Sequence, residues 1–216
     1  YWFGKKARRG PDPIPRELKA RLTVPKEVPA GIYSWQAANA NGVTKVGKFA
    51  VTHEKEVVEL DGREAPQTLE SLPITVSGQI KVVEEVDRFR FKAPATGPIT
   101  CVLTARIFGS AVNAVLEVHD SKGRFVADAA DTAGNDTALT FAAVAGEEYT
   151  ASVYDLDFRG DRAYTYRLGI SQGPRVVTAL PAAGTRGQTK SIEFVGSGGA
   201  TGAPRLESVR KDVSFP

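Results

Sequence analysis

The sequence is poor in the residues that carry out chemistry. Its 216 residues include one cysteine (Cys101), two histidines (His53 and His119), two tryptophans and no methionine. A lone cysteine excludes an internal disulfide framework and any multi-cysteine zinc or iron–sulfur site. Two histidines leave little imidazole for acid–base work. No apolar run approaches the roughly 18–20 residues that cross a bilayer, so no membrane span is expected. A net charge of +3 is too mild to point to nucleic acid, and none is expected as a partner. With 42% hydrophobic and 25% charged residues, wholesale disorder is excluded. The chain opens on Tyr1 rather than methionine, which reads as a processed or excised product. Residues 1–6 lack the apolar stretch of about 7–15 residues that a signal peptide carries.

What is abundant is turn chemistry, with 21 glycines and 13 prolines. Residues 1–16 read as a basic, proline-rich linker: Lys5, Lys6, Arg8 and Arg9 precede prolines at 11, 13 and 15. From Leu18 to Val24 apolar and polar residues alternate, which predicts a strand. Residues 31–37 and 43–51 predict two more, and Asn41-Gly42 marks a hairpin between them. Three strands bury too little to stand alone. Residues 17–53 therefore read as the closing half of a sandwich. Residues 54–71 form a polar, glutamate-rich connector.

A new series of strands is predicted near 74–80, 86–92, 98–107, 113–119, 124–128, 137–143, 147–155 and 163–170. They are short, evenly spaced and divided by turns rich in Gly, Asp and Asn, and no stretch sustains a helical period for three turns. The pattern predicts an all-β, antiparallel sandwich of the jelly-roll or immunoglobulin type over residues 72–171. Residues 172–216 read as the opening half of a further sandwich, with strands at 176–180 and 192–195 and one more within 204–216.

Several motifs in this order resemble a known family. Val76-Ser77-Gly78-Gln79-Ile80, then Asp87-Arg88-Phe89-Arg90-Phe91, is similar to the opening of bacterial pre-peptidase C-terminal domains. The hairpin His119-Asp120-Ser121-Lys122-Gly123-Arg124, the strand Tyr149 to Asp155, and Arg159-Gly160 through Tyr164 to Leu168 resemble that family's later motifs. The flanks, Val24 to Lys45 and Val176 to Phe194, resemble the last and first strands of immunoglobulin-like, transcription-factor-type (IPT/TIG) domains. The resemblance implies extracytoplasmic, non-catalytic accessory modules, whether secreted, periplasmic or on the cell surface.

Candidate sites are few. No Gly-x-Ser-x-Gly elbow accompanies the histidines. His119-Asp120 reads as the start of a hairpin, and Cys101 reads as a small buried hydrophobe. No catalytic residue is assigned, and no enzyme is expected. The loop carrying Asp128, Asp131, Asn135 and Asp136, approached by Asp155, gathers the oxygen ligands that calcium prefers, so Ca²⁺ is the one cofactor candidate. Phe158, Tyr164 and Tyr166 are the candidates for stacking on a ligand, with Tyr164 and Tyr166 two apart and sharing a face. Asp87 is expected to be structural, accepting backbone N–H bonds where its strand begins. Arg88 and Arg90 share one face and Phe89 and Phe91 the other.

The function expected is a non-catalytic extracytoplasmic module with a structural or protein-interaction role in a larger secreted or cell-surface assembly. The alternative is a glycan- or substrate-binding accessory module of a secreted hydrolase or peptidase. Expected partners are other protein modules, copies of this chain joined by strand complementation, or a polysaccharide. The two half-sandwiches raise one further expectation: they pair within one chain, pair between copies, or belong to a longer tandem array.

Overall fold

A computed structural model describes residues 20–40, 42–62, 65–130, 136–197 and 206–216. Strands β1 (Gly31–Trp35), β2 (Ala38–Asn39), β3 (Gly42–Val43), β4 (Gly47–Val51), β5 (Glu56–Val58) and β6 (Gln67–Thr68) come first. The central series follows: β7 (Ile74–Gln79), β8 (Asp87–Lys92), β9 (Gly97–Thr104), β10 (Ala114–Asp120), β11 (Phe125–Ala130), β12 (Thr137–Ala143), β13 (Glu148–Asp155) and β14 (Thr165–Gln172). A 3₁₀ turn, Arg106–Phe108, sits between β9 and β10. The chain closes with β15 (Arg175–Leu180), β16 (Thr189–Ser197) and β17 (Leu206–Ser214).

Together with β5 and β6 the eight central strands form two five-stranded sheets, ordered β11-β10-β13-β8-β6 and β12-β9-β14-β7-β5. The expected all-β sandwich is there, and each of its eight predicted strands lies within a few residues of its predicted place. Alternation explains why. Along β8, Asp87, Phe89 and Phe91 are buried while Arg88, Arg90 and Lys92 are exposed. Phe89, Phe91, Ile99, Leu103, Leu116, Val118, Val153, Leu168 and Ile170 meet between the sheets, all essentially without solvent contact. Burial of each such side chain is worth about 1.5–3 kcal/mol, and period two along every strand keeps the set together.

The connector differs from its reading as a mere spacer. Its residues form β5 and β6, which pair in parallel with β7 and β8 and so extend both sheets on the same side. Glutamates dock it there. Glu54 accepts from Thr75 at 3.1 Å and Glu56 from Ser77 at 2.8 Å. Glu56 also takes a forked pair of bonds from Arg167 at 2.8 and 2.9 Å. Between the two strands the buried Gln67 accepts from the Leu60 amide and donates to the Val58 carbonyl.

The flanks form small separate sheets. β1 pairs with β4 and β2 with β3, while β15, β16 and β17 make a three-stranded antiparallel sheet. The strand expected over 18–24 is corrected: residues 20–24 form none, and Leu22 and Val24 are exposed. Alternation there has no neighbouring strand to pair with. The basic linker, residues 1–16, lies outside the described residues.

Candidate functional site

Two groups of side chains stand out. The first lies where the connector crosses the start of β8. Ligand oxygens of Glu59, Glu85 and Asp87 come within 4.8 Å of one another. Asp87 is nearly buried, and its carboxylate accepts the Tyr166 hydroxyl at 2.6 Å. Burial pushes the Asp87 carboxyl up to about 7; the Tyr166 hydrogen bond opposes this, and Glu59 and Glu85 add to it. Glu59 and Glu85 also have backbone duties. Glu59 accepts the Gln79 amide at 2.8 Å, and Glu85 accepts the amides of Lys81 and Val82. The expectation for Asp87 thus changes in its partner: a side-chain hydroxyl, rather than a strand-start amide, holds it.

The second group is the outer face of the sheet that contains β8. Register aligns Arg88 with Ser152 and Arg90 with Thr150. It then aligns Ser152 with Glu117 and Thr150 with His119. These six side chains floor an open groove of about 650 Å³. Tyr154 and Phe158 form one wall, their rings stacked 5.7 Å apart and inclined by 8°. Phe158 holds a positive φ of 55° and remains 52% exposed. Tyr154 donates to Glu117 at 2.5 Å, and that bond pushes the phenol up to about 12. Among the described residues Arg88 and Arg90 carry no ion pair.

Tyr166 requires correction as a surface ligand residue. It is 2% exposed and lies opposite Gly78, whose missing side chain leaves room for its ring. Tyr164 precedes β14, and like Tyr166 it packs against the core rather than standing free on the surface. It is half-buried against the core, with the Arg159 guanidinium 5.8 Å above its ring. Of the three aromatic candidates, only Phe158 lines the groove.

The calcium set does not converge among the described residues, where the one acidic group of three is Glu59, Glu85 and Asp87. Asp136 accepts the amides of Ala105 and Arg106, at 2.7 and 2.9 Å. Asp155 accepts the amides of Asn113, Asp157 and Arg159 and the Arg159 guanidinium. Burial opposes ionisation of Asp155, yet these donors hold its carboxyl below the ordinary range. Asp128 is exposed on β11, opposite Glu117. Asp131 and Asn135 lie outside the described residues.

His119 lies edge-on to Phe125, with ring centres 6.0 Å apart, and His53 is exposed. Cys101 is fully buried, which pushes its thiol up to about 12. The sequence places Arg88 and Arg90 on one face but does not assemble the groove floor around them. Its signal was the parity of Arg88 with Arg90 and of Thr150 with Ser152, but pairing of β8, β13 and β10 was needed to bring those residues side by side.

No protein-family model matches the chain, and no curated protein matches it. Among solved structures it is similar to the pre-peptidase C-terminal domain of a collagenase from Bacillus anthracis. Identity is 18%, with 52% of this chain and 100% of that one covered, at a TM-score of 0.41. It is also similar to PliG of Aeromonas hydrophila, a periplasmic inhibitor of g-type lysozyme, at 14% identity, 54% and 97% coverage and a TM-score of 0.37. Salmonella Typhimurium PliG follows at 17% identity, 54% and 96% coverage and a TM-score of 0.30. The resemblance drawn from the motifs is to the first of these kinds of domain.

Proposed function

We propose that the chain is a non-catalytic structural and interaction module of a larger extracytoplasmic assembly, with the closed sandwich as its rigid body and the flanking sheets as its joints. One contrast carries this reading. The sandwich core is dry, whereas the flanks leave large apolar side chains in water. Ile32, Trp35, Val43 and Val46 are exposed at one end, and Val176, Val177, Leu180 and Val209 at the other. Among the described residues β1 pairs only with β4, and β15 and β17 only with β16, so each flank also offers strand edges without a neighbour among them. Apolar faces beside unpaired edges favour association by packing and strand addition. Sedimentation of the chain over a range of concentrations tests this. Self-association should appear as concentration rises and should be lost in Ile32→Asp or Leu180→Asp. A chain that stays monomeric throughout, and whose flanks bind no hydrophobic dye, overturns the reading.

A second reading, glycan binding, is favoured by the exposed Tyr154–Phe158 stack beside the polar groove. Flat aromatic faces of this kind pack well against pyranose rings.

A further inference from the structure

We propose that the groove on the outer face of the β8-containing sheet binds an acidic glycan, one bearing uronate carboxylates or sulfates. The proposal rests on the glycan-binding reading and adds the ligand's charge.

The floor is rich in donors. Arg88 and Arg90 stand two residues apart on one face of β8, a spacing of about 7 Å along an extended strand. Guanidinium groups at adjacent positions on a face repel one another, and the usual remedy is a carboxylate directly across the strand pair. Here the facing residues are Ser152 and Thr150, which are hydroxyls. The nearest acid in the Arg88 row, Glu117, lies one strand further on and already accepts the Tyr154 hydroxyl. Two further acids line the groove, Asp120, which is held by Arg124, and Glu148, which faces Lys92 across the strand pair; neither forms an ion pair with Arg88 or Arg90, whose planar N–H forks suit carboxylate, sulfate or phosphate oxygens. Thr150, Ser152 and His119 supply further polar atoms beside them.

An anion alone would leave the wall unused. Phe158 sits at a left-handed backbone position that few side chains adopt. Its ring stacks on Tyr154 and stays half in water. A ligand that offers both a ring face and an oxyanion uses wall and floor together. A uronic acid or sulfated sugar has both in one residue, whereas an acidic peptide offers the charge without the flat ring. That difference favours the glycan.

Calorimetric titration of the full chain at low ionic strength tests the assignment with four probes: oligogalacturonate, a heparin-derived oligosaccharide, a neutral cello-oligosaccharide and oligoglutamate. Binding of oligogalacturonate or the heparin fragment is expected, and the preferred one of the two identifies carboxylate or sulfate as the anion. Binding should weaken as salt is added. Arg88→Ala with Arg90→Ala should weaken it by roughly tenfold or more, the scale of charged hydrogen bonds, with melting temperature unchanged. Arg88→Lys with Arg90→Lys should recover part of the loss. Phe158→Ala should weaken the sugars as well. Equal binding of the neutral sugar, indifferent to both arginines, would overturn the proposal while sparing the glycan reading. Oligoglutamate binding at least as tightly, and unaffected by Phe158→Ala, would assign the groove to acidic peptides and overturn both. So would a lack of binding by every probe.

Discussion

The Tyr166 hydroxyl donates to the Asp87 carboxylate at 2.6 Å, with both residues inside the sandwich. This bond joins β14 of one sheet to β8 of the other. It sits under the connector, where Glu59 and Glu85 crowd the same carboxyl group. Burial makes the hydroxyl hard to ionise, raising it well above its ordinary value, so Tyr166 stays a donor. The contact thus ties the two sheets together through a carboxyl group that burial keeps hard to ionise.

The first prediction concerns pH. Asp87 holds its proton up to about pH 7 in the folded chain, whereas an unfolded aspartate releases it near about pH 4. Between those values the folded state binds more protons than the unfolded one. The stability drawn from this group is therefore full in acid and lost as pH rises through the window. Asp87→Asn keeps an acceptor for Tyr166 and adds a permanent donor towards Glu59. Thermal melting should show the variant close to the parent at pH 5 and more stable than it at pH 8. A difference that does not change with pH would count against a raised Asp87 carboxyl.

Tyr166→Phe separates the hydroxyl from the ring. The ring still covers Gly78, but Asp87 loses its one side-chain hydroxyl donor. Leaving a buried acceptor unpaired costs about 1–3 kcal/mol. Urea unfolding should show a lower midpoint with an unchanged slope, and a larger penalty at pH 8 than at pH 5, because the ionised carboxylate needs the donor more.

How much of this was legible in the sequence depends on which kind of contact fixes each part. The central strands were readable because burial enforces period two, and Phe89, Phe91, Leu168 and Ile170 kept that rhythm. The same rhythm marked Tyr166, and with it Tyr164, as core-facing, since both share parity with Leu168 and Ile170. β5 and β6 were not readable as strands. They are short, parallel and held by Glu54, Glu56 and Gln67, whose partners on β7 and β14 or in the adjacent backbone lie elsewhere in the chain. The groove was likewise hidden, because its six floor residues come from three strands that are far apart in sequence.

A third prediction tests that docking. Glu56 is held below its ordinary range first by the Arg167 hydrogen bond, with burial opposing. The sign is opposite to that of Asp87: this contribution is present above the unfolded glutamate value and lost as pH falls towards the folded one. Glu56→Gln should therefore destabilise the chain at neutral pH, by about 1 kcal/mol for a half-exposed forked pair, and the deficit should shrink in acid. Limited proteolysis should cut more readily within residues 54–68 of the variant.

Cys101 provides a direct probe of the core. Its thiol has no solvent contact and is pushed up to about 12 by burial. The thiolate is the reactive form, so a thiol reagent at pH 8 should label the folded chain only as fast as the sandwich opens. Labelling should become fast at the urea concentration where circular dichroism reports unfolding. Fast labelling in buffer would mean that Cys101 does not face the interior between the sheets.

Asp155 separates a structural carboxylate from a metal ligand. Its two oxygens serve three backbone amides and one guanidinium at the turn after β13. Asp155→Ala strands the amides of Asn113, Asp157 and Arg159 together, and a loss of about 2–4 kcal/mol is expected from unpaired donors of this kind. Asp155→Asn retains one acceptor oxygen and should fall between the parent and Asp155→Ala. A calcium role predicts a different pattern. The parent would melt higher with added calcium and lower with chelator, and Asp155→Ala would abolish that response. Because the donors that saturate Asp155 all come from the protein, the expected result is a melting temperature indifferent to chelator, with the full mutational cost present in its absence.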